Sequence, residues 1–234
     1  MASKISLAHE GHPRPTLLSD FILGGQDGLV NVLGILLGLV AAGSSLRLID
    51  VAALAALAAE SISMGAVAYT STLARRNLYL SEVEREQREM RDTPELEREE
   101  VRVILRSWGY EGEEVEEMLR RIEAKPRAWL DIMMAFELNL SEVPARQPRD
   151  SAATVLGATV VGSLVPLIPF FLGLSRELAT IVSIVASGAM LLGVGFYEAR
   201  TTAGVWWASG GRMLLIGLAA GFAGFLVGKA VGAL

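Results

Sequence analysis

The chain has 234 residues, a net charge of −5, no cysteine and a mean hydropathy of +0.42. Without Cys there is no disulfide, thiolate metal site or redox dithiol. The arginines are interleaved with glutamates, which excludes the basic stripe of a nucleic-acid-binding surface.

Charge is unevenly placed along the chain. Between Glu82 and Glu142 lie 18 of the 26 acidic residues, and between Arg75 and Arg149 lie 14 of the 21 basic ones. The remainder is nearly charge-free and long enough for several membrane spans of about 20 residues each. The N-terminal tail, residues 1–18, is polar at its start and shows no apolar core of a cleaved signal peptide.

Five apolar segments follow, from about Phe21 to Leu46, Ile49 to Leu73, Ala152 to Leu174, Leu178 to Thr202 and Val205 to Val231. They divide the chain into residues 19–76 with two spans, an inserted domain over 77–150, and residues 151–234 with three spans. Gly, Ala and Ser are dense in the spans, as in helices that approach closely in lipid, where hydrophobicity cannot drive their association. Pro166 and Pro169 are expected to break or kink the third span, with the freed carbonyls satisfied by a neighbour or by water.

Orientation follows from Lys and Arg near the span ends. Lys4, Arg14, Arg75, Arg76, Arg146, Arg149, Arg200 and Arg212 fall on one side; the other has only Arg47, Arg176 and Lys229. The N-terminus and the inserted domain are therefore expected in the cytoplasm, and five spans place the C-terminus on the far side. A prokaryotic inner membrane and a vacuole-like membrane both fit this asymmetry.

The inserted domain reads as helical. Thr93-Pro94 has the form of an N-cap with Pro at the first helical position, and Gly109 can close that helix after Val101, Ile104, Leu105 and Trp108. Val115, Met118, Leu119 and Ile122 form a second stripe at helical spacing, and Trp129, Ile132, Met133, Phe136 and Leu140 a third, beginning after Pro126. The fold class expected is all-α: a polytopic membrane protein with five transmembrane helices and a cytoplasmic three-helix domain between spans two and three.

Ionisable residues inside spans are costly and are functional candidates by default. Asp27 lies in Gly24-Gly25-Gln26-Asp27-Gly28, where glycines allow irregular backbone to line a cavity; its bland alternative is a cap at the membrane interface. Glu60 and Met64, one turn apart, share a face of span two. Glu60 serves equally as a protonated acid bonding another helix, and Met64 alone as packing. Glu198, near Arg200, reads as an interfacial ion pair.

In the inserted domain Glu86/Glu89 and Glu97/Glu100 are i, i+3 pairs able to converge on one cation, although glutamate runs on helices are usually solvated surface. Met134 and Glu137 repeat the spacing off the centre of the third stripe, whereas Met133 lies on it and reads as core. Carboxylates alone suit Mg2+ or Ca2+; a thioether shifts preference toward softer first-row ions such as Fe2+, Co2+ or Zn2+.

With Asp27-Gly28-Leu29, Ile62-Ser63-Met64-Gly65 and Met133-Met134-x-x-Glu137 in order around a charged insert, the chain resembles the vacuolar iron transporter family, the VIT and CCC1 group, from Ser19 onward. The resemblance implies a homodimer with the translocation path between protomers, lined by Asp27 and Met64. It implies a cytoplasmic domain binding divalent metal through Glu86, Glu89, Glu97, Glu100, Met133, Met134 and Glu137, and exchange of Fe2+ for protons, with Mn2+, Co2+ and Zn2+ as other candidate ions. The family often carries Glu two turns before the span-two Met, where this chain has Ala56; Glu60 is the candidate substitute on the path. No catalytic constellation and no prosthetic group are expected. Two rivals remain at this point, a membrane-anchored metal sensor or adaptor and a di-iron oxidase. The second is disfavoured because its Glu-x-x-His motif is missing and the only histidines, His9 and His12, lie in the tail.

Overall fold

A computed structural model describes residues 15–202 and 204–233; most of the assigned tail, with Lys4, His9, His12 and Arg14, lies outside them. The described residues form eight α-helices and one π-helical turn, with no strand. These are α1 (Pro15–Ala41), α2 (Leu46–Asp92), α3 (Pro94–Ser107), α4 (Glu113–Glu123), α5 (Pro126–Ile132), the π turn (Met133–Glu137), α6 (Gln147–Phe171), α7 (Arg176–Thr201) and α8 (Trp206–Gly232). Five of them, α1, α2, α6, α7 and α8, are long and apolar enough to cross a membrane. The chain divides into two compact units, one running to Tyr69 and resuming at Arg149, the other comprising Thr70–Pro148.

The helix that carries the second apolar segment does not end with it near Leu73. It continues to Asp92 without interruption, 47 residues in all, where about 20 would cross a bilayer. No Gly or Pro occurs between Gly65 and Pro94, and Arg85 bridges Glu82 and Glu89 at i−3 and i+4, with contacts of 2.9 and 3.6 Å. Nothing in that stretch stops a helix, so it ends only where Thr93-Pro94 enforces a break. Thr93 occupies the N-cap position of α3 and Pro94 its first turn, but the Thr93 hydroxyl donates backward to the Glu89 carbonyl at 3.2 Å rather than capping forward.

In the membrane-length unit α1 is the packing centre. Val32 and Leu36 of α1 share a buried cluster with Ile49 and Ala53 of α2, Leu167 and Phe170 of α6, and Ala179 of α7. Leu29 and Val30 pack with Leu191 of α7 and Met213 of α8. Outward-facing Ile181, Val185, Leu215 and Val227 are more than half exposed, a pattern that costs nothing in hydrocarbon and much in water.

The glycines of Gly24-Gly25-Gln26-Asp27-Gly28 do not loosen the backbone as expected: α1 is regular throughout. They allow contact instead. A Cβ at Gly28 would lie 2.4 Å from the Thr159 carbonyl oxygen, and one at Gly162 would lie 2.1 Å from that of Gly25, so α1 and α6 meet backbone to backbone. Pro166 and Pro169 lie within the last two turns of α6 and do not interrupt it; Ser183 of α7 donates to the Pro166 carbonyl at 2.8 Å. On the opposite flank of α1, a Cβ at Gly228 would lie 1.8 Å from the Gly38 carbonyl oxygen. Gly228→Leu is therefore expected to lower thermal stability in detergent by about 1–3 kcal/mol or more. Gly193→Leu, where a Cβ meets nothing within 4 Å, leaves the melting curve close to wild type.

In the other unit, Val101 and Leu105 of α3, Val115 and Leu119 of α4, Trp129 of α5 and Met133 form one buried cluster. Gly109, with φ +92°, ends α3 in a Schellman arrangement: Tyr110 N–H donates to the Leu105 carbonyl and Gly109 N–H to that of Arg106. Phe136, placed on the core stripe by spacing, is 57% exposed and packs edge-on against Trp108 with ring centroids 4.8 Å apart.

Candidate functional site

Among the described residues two polar constellations stand out, one in each unit. In the membrane-length unit, Asp27, Asn31, Ile35, Ala56, Ala59, Glu60, Ser63 and Met64 line a cavity of about 480 Å³. Asp27 is at the middle of α1, not at an end, so it caps nothing. Asn31 stands one turn on, and its Nδ2 donates to Glu60 Oε1 across to α2. Met64 follows Glu60 by one turn on the same wall. Three ionisable or polar groups and a thioether thus face one space between two helices. Asp27, Glu60 and Met64 are partly buried, whereas Asn31 is exposed on the outer surface of the unit. Ala56, one turn before Glu60 on α2, lines the same cavity.

Asn31 did not emerge from the sequence as a site residue. Its i+4 spacing from Asp27 was the available signal, an amide inside an apolar span. Glu198 pairs with Arg212 of α8 at 3.3 Å rather than with Arg200, an ion pair between the ends of two helices.

In the second unit the arginines sort the glutamates. Arg98 binds Glu95 and Glu123; Arg102 binds Glu99 and Glu116, the latter at 2.8 Å; Arg106 reaches Glu99 and Arg121 reaches Glu117. Arg98–Glu123 and Arg102–Glu116 tie α3 to α4, and the other pairs lie within one helix on the solvated surface. Glu86, Glu89 and Glu97 stand apart. Glu86 and Glu97 are 1% and 2% exposed, and each has one carboxylate oxygen with no hydrogen-bond partner. One oxygen from each of the three lies within 4.8 Å of the others. A cation ligated at about 2.1 Å sets its oxygen ligands about 3–4.2 Å apart, so a modest tightening would let the three converge on one ion. The nearby cation among the described residues is Arg85, 3.9 Å from Glu86 and 3.6 Å from Glu89.

Glu100 and Glu137 lie within electrostatic reach of these three carboxylates. Burial, then the charges of Glu100, Glu86, Glu137 and Glu89, push the Glu97 carboxyl up to about 8. Glu137 keeps an exposed flank, yet partial desolvation, then Glu100, Glu86 and Glu89, raise it to about 7 against the opposing Arg85. Burial raises Glu86 and Glu100 as well, with Glu89 the next cause for both. Metal-free protein therefore holds protons here that the unfolded chain, with carboxyls near 4.5, has lost. Between pH 4.5 and about 8 the folded state binds more protons, so the stability of this unit is expected to fall as pH rises through that window. Thermal melts of the full chain without metal, from pH 5 to pH 8.5, test this; a melting temperature that rises with pH contradicts it.

The two methionines separate. Met133 is wholly buried in the α3–α4–α5 cluster, while Met134 is 3% exposed and lies outside that cluster. The segment is not α-helical as the i, i+3 spacing assumed: Leu138 N–H reaches back five residues to the Met133 carbonyl at 3.2 Å, the signature of a π turn. That wider turn rotates Glu137 relative to Met134 and Met133 from the positions an α-helix gives.

The fold and sites define an all-helical, multi-pass integral membrane protein with a carboxylate–thioether groove among its membrane-length helices and a buried carboxylate cluster in a separate helical unit. A profile of the VIT family matches residues 18–229. Vacuolar iron transporter 2 of Oryza sativa subsp. japonica is 35% identical, over 92% of this chain and 87% of its own length. Vacuolar iron transporter 1 of Eucalyptus grandis is also 35% identical, over 92% and 86%. Protein CCC1 of Saccharomyces cerevisiae is 27% identical, over 91% and 69%. The chain belongs to the VIT family.

Proposed function

We propose that this protein moves Fe2+ out of the cytoplasm in exchange for protons, with Mn2+, Co2+ and Zn2+ as competing ions. The observation that carries the reading is the groove of Asp27, Asn31, Glu60 and Met64 between membrane-length helices, joined to kinship with proteins named vacuolar iron transporters. A carboxylate facing hydrocarbon is expensive, and this groove opens on the unit's outer surface. A second copy of the chain covering it supplies the remedy: a homodimer with Asp27 and Met64 from each protomer offers two carboxylates and two thioethers to one ion. Thioethers favour softer first-row ions over Mg2+ and Ca2+.

Metal and protons compete for crowded carboxylates. Protons from an acidic far side displace the ion, and a fresh ion on the cytoplasmic side displaces the protons. Glu86, Glu89, Glu97, Glu100 and Glu137 gather Fe2+ on the cytoplasmic face, with Met134 as the first thioether and Met133, which fills the core, as the second. The N-terminus and the domain over 77–150 lie in the cytoplasm, as the excess of Lys and Arg on that side supports, in an inner or vacuole-like membrane. The metal is cargo; the reading includes no prosthetic group and no catalysed reaction. A sensor or adaptor would leave Asp27 and Glu60 without a role.

The test is Fe2+ uptake by proteoliposomes under an imposed inside-acid gradient. Uptake that collapses with the gradient is expected. Uptake indifferent to the gradient retires proton exchange, and absent uptake with metal still bound retires transport.

A further inference from the structure

Arg85 stands among the carboxylates that α2 contributes to the cluster. Glu82, Arg85, Glu86 and Glu89 share one face of that helix, at i, i+3, i+4 and i+7. The guanidinium Nη2 lies 2.9 Å from Glu82 Oε2 and 3.9 Å from Glu86 Oε1, and its Nε lies 3.6 Å from Glu89 Oε2. The Arg85 side chain is 46% exposed and that of Glu86 1%, so a half-exposed cation reaches a carboxylate that water does not.

The three contacts are unequal. The one to Glu82 is the shortest; those to Glu86 and Glu89 exceed hydrogen-bond length and are held by charge alone. Glu86 and Glu89 are two of the three converging carboxylates, and Glu82 is not. The charge of Arg85 also reaches beyond its own helix. Burial, then Glu100, Glu86 and Glu89, raise the Glu137 carboxyl of the π turn, and Arg85 opposes them. Burial and Glu89 raise Glu86, and Arg85 opposes them there too. Exposed pairs at these helical spacings ordinarily contribute little. Here two of the acidic partners are the groups a divalent ion would need, and that ion would share them with a positive group already seated on them.

We propose that Arg85 is a tethered counter-ion of the carboxylate cluster, competing with the cargo ion for Glu86 and Glu89 and withdrawing onto Glu82 when the ion binds. It thereby holds the affinity below what the carboxylates alone would reach. Release is eased by the same device, because the guanidinium returns to Glu86 and Glu89 as the ion leaves. This rests on the cluster binding the cargo ion.

The test is calorimetric titration of the full chain in detergent with Mn2+ at pH 7. The binding phase that weakens when Glu97 and Glu100 are both replaced by Gln is the one read. Arg85→Gln is expected to tighten that phase about fivefold. Arg85→Lys, which restores the charge, is expected to bind as wild type does. Arg121→Gln, which removes an equal charge from the Glu117 pair on α4, is expected to change nothing. Glu82→Gln removes the place of withdrawal and is expected to weaken binding several-fold when Arg85 is present, but much less in Arg85→Gln. Such non-additivity marks groups that act through one another. A gain of affinity cannot come from a damaged fold, so the sign of Arg85→Gln decides. Four results overturn the proposal while the cluster stands as a metal site: unchanged or weaker binding by Arg85→Gln, an equal gain in Arg85→Lys, an equal gain in Arg121→Gln, or a Glu82→Gln effect that is the same in both backgrounds. A titration with no phase that depends on Glu97 and Glu100 overturns the metal site and the proposal together.

Discussion

Proteoliposomes carrying Asp27→Asn are expected to lose gradient-driven Fe2+ uptake by at least tenfold, to the level of protein-free vesicles, while the purified variant stays monodisperse and melts near wild type. Asp27 sits at the centre of α1, facing the cavity it shares with Asn31, Glu60 and Met64. A carboxylate near mid-membrane costs about 2.5–3.5 kcal/mol on insertion scales, so its neutral isostere should fold at least as well. What the amide lacks is the charge that offsets the dehydration of a divalent ion and the ability to exchange a proton for it. An amide oxygen remains an acceptor, so a hydrogen-bonding role for Asp27 would survive the change. Undiminished uptake by the variant removes Asp27 from the path and leaves the groove to structure.

Much of the fold could be read from the chain because membrane spans announce themselves by length and by the absence of charge. Five apolar segments became five helices long enough to cross a bilayer. The errors came where one physical signal stood in for another. Hydropathy ends near Leu73, but helicity depends on breakers and side-chain pairing, and Arg85 with its flanking glutamates carries α2 to Asp92. The glycines around Asp27 suggested irregular backbone; the helix is regular, and their missing Cβ atoms let α6 approach. Spacing could nominate glutamates but could not separate them. Only the fold shows that Glu95, Glu99, Glu116, Glu117 and Glu123 are consumed by arginines while Glu86 and Glu97 are buried with unpartnered oxygens. Asn31 was missed because an amide carries no charge, and its importance appears only in the bond to Glu60. The π turn at Met133 was invisible to periodicity, since a single widened turn leaves no repeat to detect.

Replacing Glu97 and Glu100 together by Gln is expected to move two observables of the full chain in opposite directions. Calorimetric titration with Mn2+, which avoids oxidation of Fe2+, should show the affinity of the Thr70–Pro148 unit falling at least tenfold, because one of the three converging carboxylates is lost with a near neighbour. Melting of the metal-free variant at pH 7.5 should occur above wild type. At that pH wild-type Glu97, with a carboxyl raised to about 8, is held protonated against the preference of an unfolded carboxyl near 4.5, and that mismatch lowers stability. Gln carries no such penalty and is nearly isosteric, so the fall in melting temperature from pH 5 to pH 8.5 should shrink as well. A solvated surface pair would move neither observable, and a pair needed only for packing would lower both affinity and melting temperature. The opposed signs are the mark of groups kept crowded and buried for a ligand. Lower affinity accompanied by a lower melting temperature would return Glu97 and Glu100 to a structural role.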